Sequence, residues 1–129
     1  MRFVIYGQPI SKKNSQQILM NPKTKRPFIM PSASYRKYEK SACADIRGEM
    51  SKYGCEFPIS GRCEVRCTFF MGTKRKCDLT NMLEAADDIL VKAGVLADDN
   101  YGIIESHDGS RVVYDKENPR TEIEIYLIV

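Results

Sequence analysis

The chain has 129 residues, 43% of them hydrophobic and 29% charged, which suits one domain with a single core over residues 1–129. No apolar run is long enough to cross a membrane, and residues 1–20 lack a charged region followed by a sustained apolar region, so we expect no secretory signal. The five cysteines lack C-x-x-C spacing, so we expect reduced thiols in a cytoplasmic protein, without disulfides or a zinc site.

The net charge of +3 conceals an uneven distribution along the chain. Residues 1–77 hold 16 Lys and Arg against 5 Asp and Glu, whereas residues 78–129 hold 4 against 12. A basic half followed by an acidic half suits a protein that binds a polyanion with its first part and cations with its second. The alternative is that the two halves pair with each other on one surface.

The first half of the chain predicts a strand, a basic loop and a helix. Residues 2–6 are apolar and end at a glycine, as strands often do. Residues 10–31 are rich in lysine and proline and predict mostly a basic loop, with a short hairpin turn at 21–24 as an option. Ser32 or Ser34 is placed to cap a helix that begins near Tyr35 and ends at Met50.

The middle of the chain predicts a strand and a second helix. Residues 61–71 alternate between apolar and polar side chains, which indicates a half-buried strand. Apolar residues then recur at helical spacing from Leu79 or Thr80 to Ala93, and Gly94 is well placed to end this helix in the left-handed conformation.

The last part of the chain predicts strands at 101–105, 111–114 and 121–129. The first two are either arms of a hairpin turning at 107–110 or one long strand bent at Gly109. His107 is expected to be a turn residue without a catalytic role. Together these elements predict an α+β domain with a mainly antiparallel or mixed sheet and two helices packed on one of its faces.

Six carboxylates lie in or beside the second predicted helix, directly after a cationic run. They are Asp78, Glu84, Asp87, Asp88, Asp98 and Asp99, and the run is Lys74, Arg75 and Lys76. Oxygen ligands without His or Cys select Mg²⁺ or Mn²⁺, which activate water and neutralise charge in phosphodiester hydrolysis. Glu84 and Asp88 stand four residues apart and repel each other unless a lysine, an arginine or a metal lies between them. Because Lys92 is the only basic residue of this helix, the pattern favours a metal.

The helix itself separates these carboxylates. Asp78 precedes the helix and Asp99 follows it, and about 15 residues at 1.5 Å each make a helix of about 22 Å. A metal shared by both carboxylates requires the chain after Gly94 to fold back along the helix, or a second subunit to complete the site. The sequence leaves both arrangements open.

These motifs resemble the RusA family of Holliday junction resolvases. The family pattern is Asp-x-Asp-Asn, a helix with a Lys and a later Asp, then a glycine and an Asp-Asp pair. Here it reads Asp78-Leu79-Thr80-Asn81, Asp88, Gly94-Val95 and Asp98-Asp99. The segments at residues 7–14 and 118–123 also match the family, so the resemblance covers nearly the whole chain.

The resemblance implies a homodimer that binds a four-way DNA junction and cuts it symmetrically in recombination and repair, with Mg²⁺ or Mn²⁺ and no small-molecule cofactor. It also implies a bacterial or prophage-encoded protein of the cytoplasm, not bound to a membrane. The candidate catalytic residues are Asp78, Asp99 and Glu84. The candidate metal ligands are Asp78, Asp99, Asp98, Asp88 and Glu84. The candidate DNA-binding residues are Lys12, Lys13, Asn14, Lys74, Arg75 and Lys76.

Two positions depart from the family pattern. Thr80 stands where a second catalytic Asp is usual, and Glu84 stands where a Lys is usual. One interpretation is a variant in which Glu84 restores the missing carboxylate and Lys12 or one of residues 74–76 replaces the lysine. The alternatives are a junction-binding protein with weakened catalysis and an interaction module whose carboxylates form a solvated helix face.

Overall fold

The computed structural model describes residues 1–13 and 16–129. The described residues form seven strands and two helices. In chain order these are β1 (Arg2–Tyr6), β2 (Gln16–Met20), β3 (Pro27–Pro31), α1 (Ala33–Met50), β4 (Cys63–Met71), α2 (Leu79–Lys92), β5 (Ile104–Ser106), β6 (Arg111–Tyr114) and β7 (Arg120–Leu127). Within the same residues, neither helix is long and apolar enough to span a membrane.

The main sheet is mixed and contains five of the described strands. β7 pairs antiparallel with both β1 and β4, whereas β5 and β6 both run parallel to β4. β5 lies beside the start of β4 and β6 beside its end, so the bent-strand alternative is correct and the hairpin alternative is wrong. The bend includes Gly109, whose φ of +83° favours glycine and where a Cβ would lie 2.7 Å from Cδ of Arg66.

One face of this sheet carries the core. The buried residues of β4 alternate along the strand, as the sequence predicts, and they pack with apolar residues of both helices. The predicted α+β fold, with two helices on one face of a mixed sheet, is therefore confirmed. All five cysteines are free thiols, and burial raises the pKa of the Cys67 thiol.

Both helices have nearly the predicted bounds because their ends are set by local residues. Ser32 caps α1, since its Oγ accepts a hydrogen bond from the Tyr35 amide at 3.1 Å. Gly94 follows α2 with a φ of +89°, which ends the helix as predicted.

The prediction of a mostly basic loop over residues 10–31 is wrong for residues 16–20 and 27–31, which form strands, whereas the hairpin turn considered at 21–24 is confirmed. β2 and β3 form a separate two-stranded hairpin in which Ile18 lies opposite Ile29. Residues 21–26 between the strands include one proline, two lysines and one arginine, whereas residues 18–20 and 28–30 are apolar. Ile18 is 73% exposed and Ile29 is 64% exposed, so the hairpin carries its apolar side chains outside the core.

Candidate active site

Helix α2 begins at Asp78, the first of the predicted site residues. Asp78 is the N-cap, with extended backbone and with its Oδ1 accepting a hydrogen bond from the Thr80 amide at 2.9 Å. An Asp in this position satisfies an amide that has no partner within the helix and complements the positive end of the helix dipole. Asp78 is exposed, so its carboxylate remains accessible while it caps the helix.

Two lysines from the segment after β1 lie against the acidic face of α2. Lys12 Nζ is 3.4 Å from Asp88 Oδ2, and Lys13 Nζ is 3.1 Å from Glu84 Oε2. Lys92 instead pairs with Glu39 of α1 at 2.6 Å. The inference that Glu84 and Asp88 lack a nearby cation is therefore wrong, because a segment distant in sequence supplies one to each of them.

Asp98 and Asp99 follow α2 and differ in their surroundings. Asp98 accepts hydrogen bonds from the Asp99 amide at 2.7 Å and from the Asn100 side chain at 3.0 Å. These bonds hold the turn and place the pKa of Asp98 below its usual value, with the Asp99 amide as the main cause. The pKa of Asp99 is raised, first by partial desolvation and then by the neighbouring Asp98 and Asp88.

The chain after Gly94 returns beside α2 near Asp87 and Asp88, whose charges interact with that of Asp99. The Ile59 amide donates to the carbonyl of Val95 at 2.7 Å, and the Ala97 amide donates to the carbonyl of Ile59 at 2.9 Å. These bonds lead the chain toward the start of β4, whereas Asp78 follows the end of β4. Asp78 lies just before the start of α2, whereas Asp99 lies near Asp88, which is ten residues or about 15 Å further along the helix.

This arrangement limits how the predicted metal ligands come together. In residues 1–13 and 16–129, no three His, Cys, Asp or Glu side chains are grouped so as to hold one ion. Asp88 and Asp99 are close enough for the charge of Asp88 to raise the pKa of Asp99 further, after desolvation and Asp98. These hard oxygen donors fit Mg²⁺ in their chemistry.

His107 and Asp87 form a contact that the sequence did not predict. His107 lies in the bend between β5 and β6, and its Nε2 is 2.8 Å from Asp87 Oδ2 on α2. Its Nδ1 is 2.9 Å from the Val65 carbonyl, which accepts a hydrogen bond, so the protonated ring satisfies both partners. The hydrogen bond to Asp87 raises the pKa of His107. Asp87 Oδ1 is buried without a hydrogen-bond partner in the described structure.

The candidate DNA-binding residues fall into two groups. Lys12 and Lys13 are paired with carboxylates of α2, and Asn14 lies outside the described residues. In the described part of the chain, none of the ion pairs involves residues 74–76, which are all exposed. The Lys74 ammonium lies 5.1 Å from the centre of the Tyr114 ring. Among the candidate DNA-binding residues that the structure describes, residues 74–76 are therefore the ones free to bind a polyanion.

Pairing between the two halves of the chain is also observed. Five basic side chains from residues 1–77 contact carboxylates from residues 78–129 in the described structure. The alternative drawn from charge alone is thus partly correct, and it accounts for Lys12 and Lys13 but not for residues 74–76.

An α+β domain with a cationic segment beside a carboxylate-bearing helix is the type of structure expected of a DNA nuclease. The family model described as endodeoxyribonuclease RusA matches residues 7–126, so the chain belongs to this family. Among curated proteins, crossover junction endodeoxyribonuclease RusA of Aquifex aeolicus is 29% identical over 109 residues, which cover 84% of this chain and 79% of that protein. The family and the endodeoxyribonuclease function expected from the sequence are confirmed.

The capping role of Asp78 is separable from its charge. We expect Asp78→Ala to lower the free energy of unfolding by about 0.5–2 kcal/mol, because the Thr80 amide loses its acceptor. Asp78→Asn should change it by about 0.5 kcal/mol or less, since asparagine caps helices as well as aspartate does. Urea denaturation followed by circular dichroism measures both values, and equal losses in the two variants would contradict the capping role.

The contact between His107 and Asp87 should contribute to stability. We expect His107→Ala to cost about 1–3 kcal/mol, because the half-buried Asp87 carboxylate loses its charged partner. In the variant that combines His107→Ala with Asp87→Ala, the loss should be smaller than the sum of the single losses. Denaturant unfolding of the three variants gives the coupling energy, and additive losses would show that the contact contributes nothing.

Proposed function

We propose that this protein resolves four-way DNA junctions by hydrolysing one phosphodiester bond in each of two strands. One observation supports this proposal above the others. Residues 74–76 are exposed and form no ion pair in the described structure, and they lead directly into Asp78 at the start of α2. Lysine and arginine side chains on such a segment neutralise DNA phosphates. Family membership and the name of the Aquifex aeolicus relative support the same substrate. A cytoplasmic location accords with this substrate and with the free cysteines.

The carboxylates in and beside α2, and the lysines that face them, have distinct roles in this proposal. Asp88 and Asp99 hold a divalent cation together with Asp78, and Asp98 fixes the turn that presents Asp99. Mg²⁺, or Mn²⁺ in its place, activates water and neutralises phosphate charge when bound. Lys12, beside Asp88, supplies the positive charge that the family's usual lysine supplies at position 84. Glu84 remains a candidate ligand that must first leave Lys13.

A second copy of the chain would bring the separated carboxylates together. Asp78 of one copy would lie near Asp88 and Asp99 of the other, which removes the need for one chain to span the length of α2. The exposed apolar β2–β3 hairpin supports a dimer, because a two-stranded hairpin is marginally stable alone and gains from being covered. We therefore propose a homodimer with shared active sites.

One observation favours a second candidate function. Lys12 and Lys13 already neutralise Asp88 and Glu84, and Thr80 supplies no carboxylate. Such a site suits a protein that binds junctions and cuts them weakly. Binding in EDTA combined with no cleavage in either metal would identify this second function.

Cleavage of a labelled four-way junction, compared with a linear duplex of matched sequence, tests the main proposal. We expect paired symmetric cuts on the junction alone, in Mg²⁺ or Mn²⁺ and not in EDTA. Asp99→Asn and Asp78→Asn should each reduce the rate at least about 100-fold, a loss of about 2.7 kcal/mol of transition-state stabilisation, while junction binding is kept. Glu84→Gln measures the contribution of Glu84.

The matched control is Glu56→Gln, which neutralises an exposed carboxylate in the loop before β4. It should cleave at the wild-type rate. If Asp78→Asn or Asp99→Asn also cleaves at that rate, the assignment of that residue is wrong. Equal cleavage of the junction and the linear duplex would exclude junction selectivity.

Mixed dimers test whether the active sites are shared. Neither Asp78→Asn nor Asp99→Asn should cleave alone, but a mixture allowed to exchange subunits should recover activity, because one of its two sites then contains only native carboxylates. Replacing both Ile18 and Ile29 by serine should yield monomers in light scattering, with unchanged circular dichroism, and should abolish the recovery. No recovery from mixed native-like dimers would place each site within one subunit.

A further inference from the structure

A pocket of about 840 Å³ opens beside the segment that leads into α2. Its walls come from the segment after β1, the connection between β4 and α2, and the loop between β6 and β7, with Met82 of α2 on its floor. This volume lies within the range of pockets that bind small molecules and cofactors. The proposed chemistry at the carboxylates does not use this pocket.

Hydrogen bonds connect the walls of the pocket to one another, so the pocket is preformed. The Gly72 amide donates a hydrogen bond to Gln8 Oε1 at 2.7 Å, and the Gly7 amide donates to the Pro119 carbonyl at 3.2 Å. A Cβ atom on Gly72 would lie 2.7 Å from Cγ of Pro119, so this close approach of two walls requires glycine. A preformed pocket binds its occupant at a smaller ordering cost than a flexible one.

The lining of the pocket combines an apolar floor with a cationic rim. Met71 and Met82 are buried at the floor, and Arg75, Lys76 and Lys116 are exposed at the rim. Among the described residues that line it, none is acidic. Methionine sulfur packs favourably on flat aromatic rings, and the rim cations attract an anion. A nucleotide, in which a flat heterocyclic base is joined through a sugar to a phosphate, satisfies both parts.

The position of the pocket indicates which nucleotide it receives. Cys77 lines the pocket and immediately precedes Asp78, so an occupant lies within about one nucleotide of a phosphate at Asp78. A base stacked inside a duplex cannot enter such a pocket without being extruded. Extrusion costs least where stacking is already interrupted, as at the centre of a four-way junction.

We infer that this nucleotide pocket, formed around Met71, Met82, Arg75, Lys76 and Lys116, holds one unstacked nucleotide from the branch point of the bound DNA. The base lies on the methionine floor and its phosphate lies against the cationic rim. This inference rests on the proposed junction substrate and adds the reason for selectivity, since a linear duplex offers no base that is easily extruded. Lys116 thereby becomes a DNA-binding residue that the sequence motifs did not indicate.

The test uses junctions with aminopurine, a fluorescent adenine analogue that is quenched by stacking, placed in turn at each position flanking the cut. The protein is added in EDTA so that the DNA stays intact. Binding is followed in the same samples by the fluorescence anisotropy of the labelled junction. We expect a severalfold fluorescence rise at one position. Lys116→Glu should remove most of this rise, whereas Lys52→Glu, which reverses an exposed charge outside the pocket, should leave it unchanged.

Each result has a separate meaning. A rise that depends on Lys116 and not on Lys52 supports the nucleotide pocket. Junction binding and metal-dependent cleavage without any rise would overturn the pocket and leave the proposed function intact, as would a rise that Lys116→Glu does not alter. Absence of selective junction binding would overturn the proposed function and this inference with it. A chemical modification gives a second test. Alkylation of Cys77 in a Cys55→Ser background should block the fluorescence rise, because the added group fills the pocket.

Discussion

Helix α2 packs across the sheet through an apolar seam, and this packing sets the positions of the candidate site residues. Met82, Ala86, Ile89 and Leu90 are all buried in the core that includes β4. Because the helix is held along its length, the carboxylate at its start and those at its end cannot approach each other by a local adjustment. The separation of Asp78 from the Asp98–Asp99 turn is therefore a consequence of the core.

The electrostatics around α2 follow from the same packing. Glu84 and Asp88 face the segment after β1, and Lys12 and Lys13 from that segment reduce their repulsion. These pairs are partly exposed, so each contributes little to stability and a competing cation or phosphate displaces it at small cost. An acidic site covered by weakly held lysines suits the proposed ligands, Mg²⁺ and DNA, which carry opposite charges.

The sequence predicted the features that local residues determine and missed those that distant residues determine. The bounds of α2 follow from Asp78, Gly94 and a helical apolar stripe, all within one segment. The contact of Lys12 with Asp88 joins residues 76 positions apart, and that of His107 with Asp87 links the bend after β5 to α2. No periodicity or spacing encodes such pairs. The turn of the β2–β3 hairpin was considered, but its strands were missed because lysines and prolines recur through residues 10–31.

Twofold symmetry connects the shape of one chain to the substrate that we propose. A symmetric dimer that places the start of one α2 beside the end of the other does so twice, which creates two equivalent sites. A four-way junction has the same symmetry and requires two matching cuts. A single chain with carboxylates divided between the ends of a helix has no complete site of its own, so cleavage would depend on pairing. In the proposed dimer, the division of the site along α2 would protect DNA from single, unpaired cuts by isolated chains.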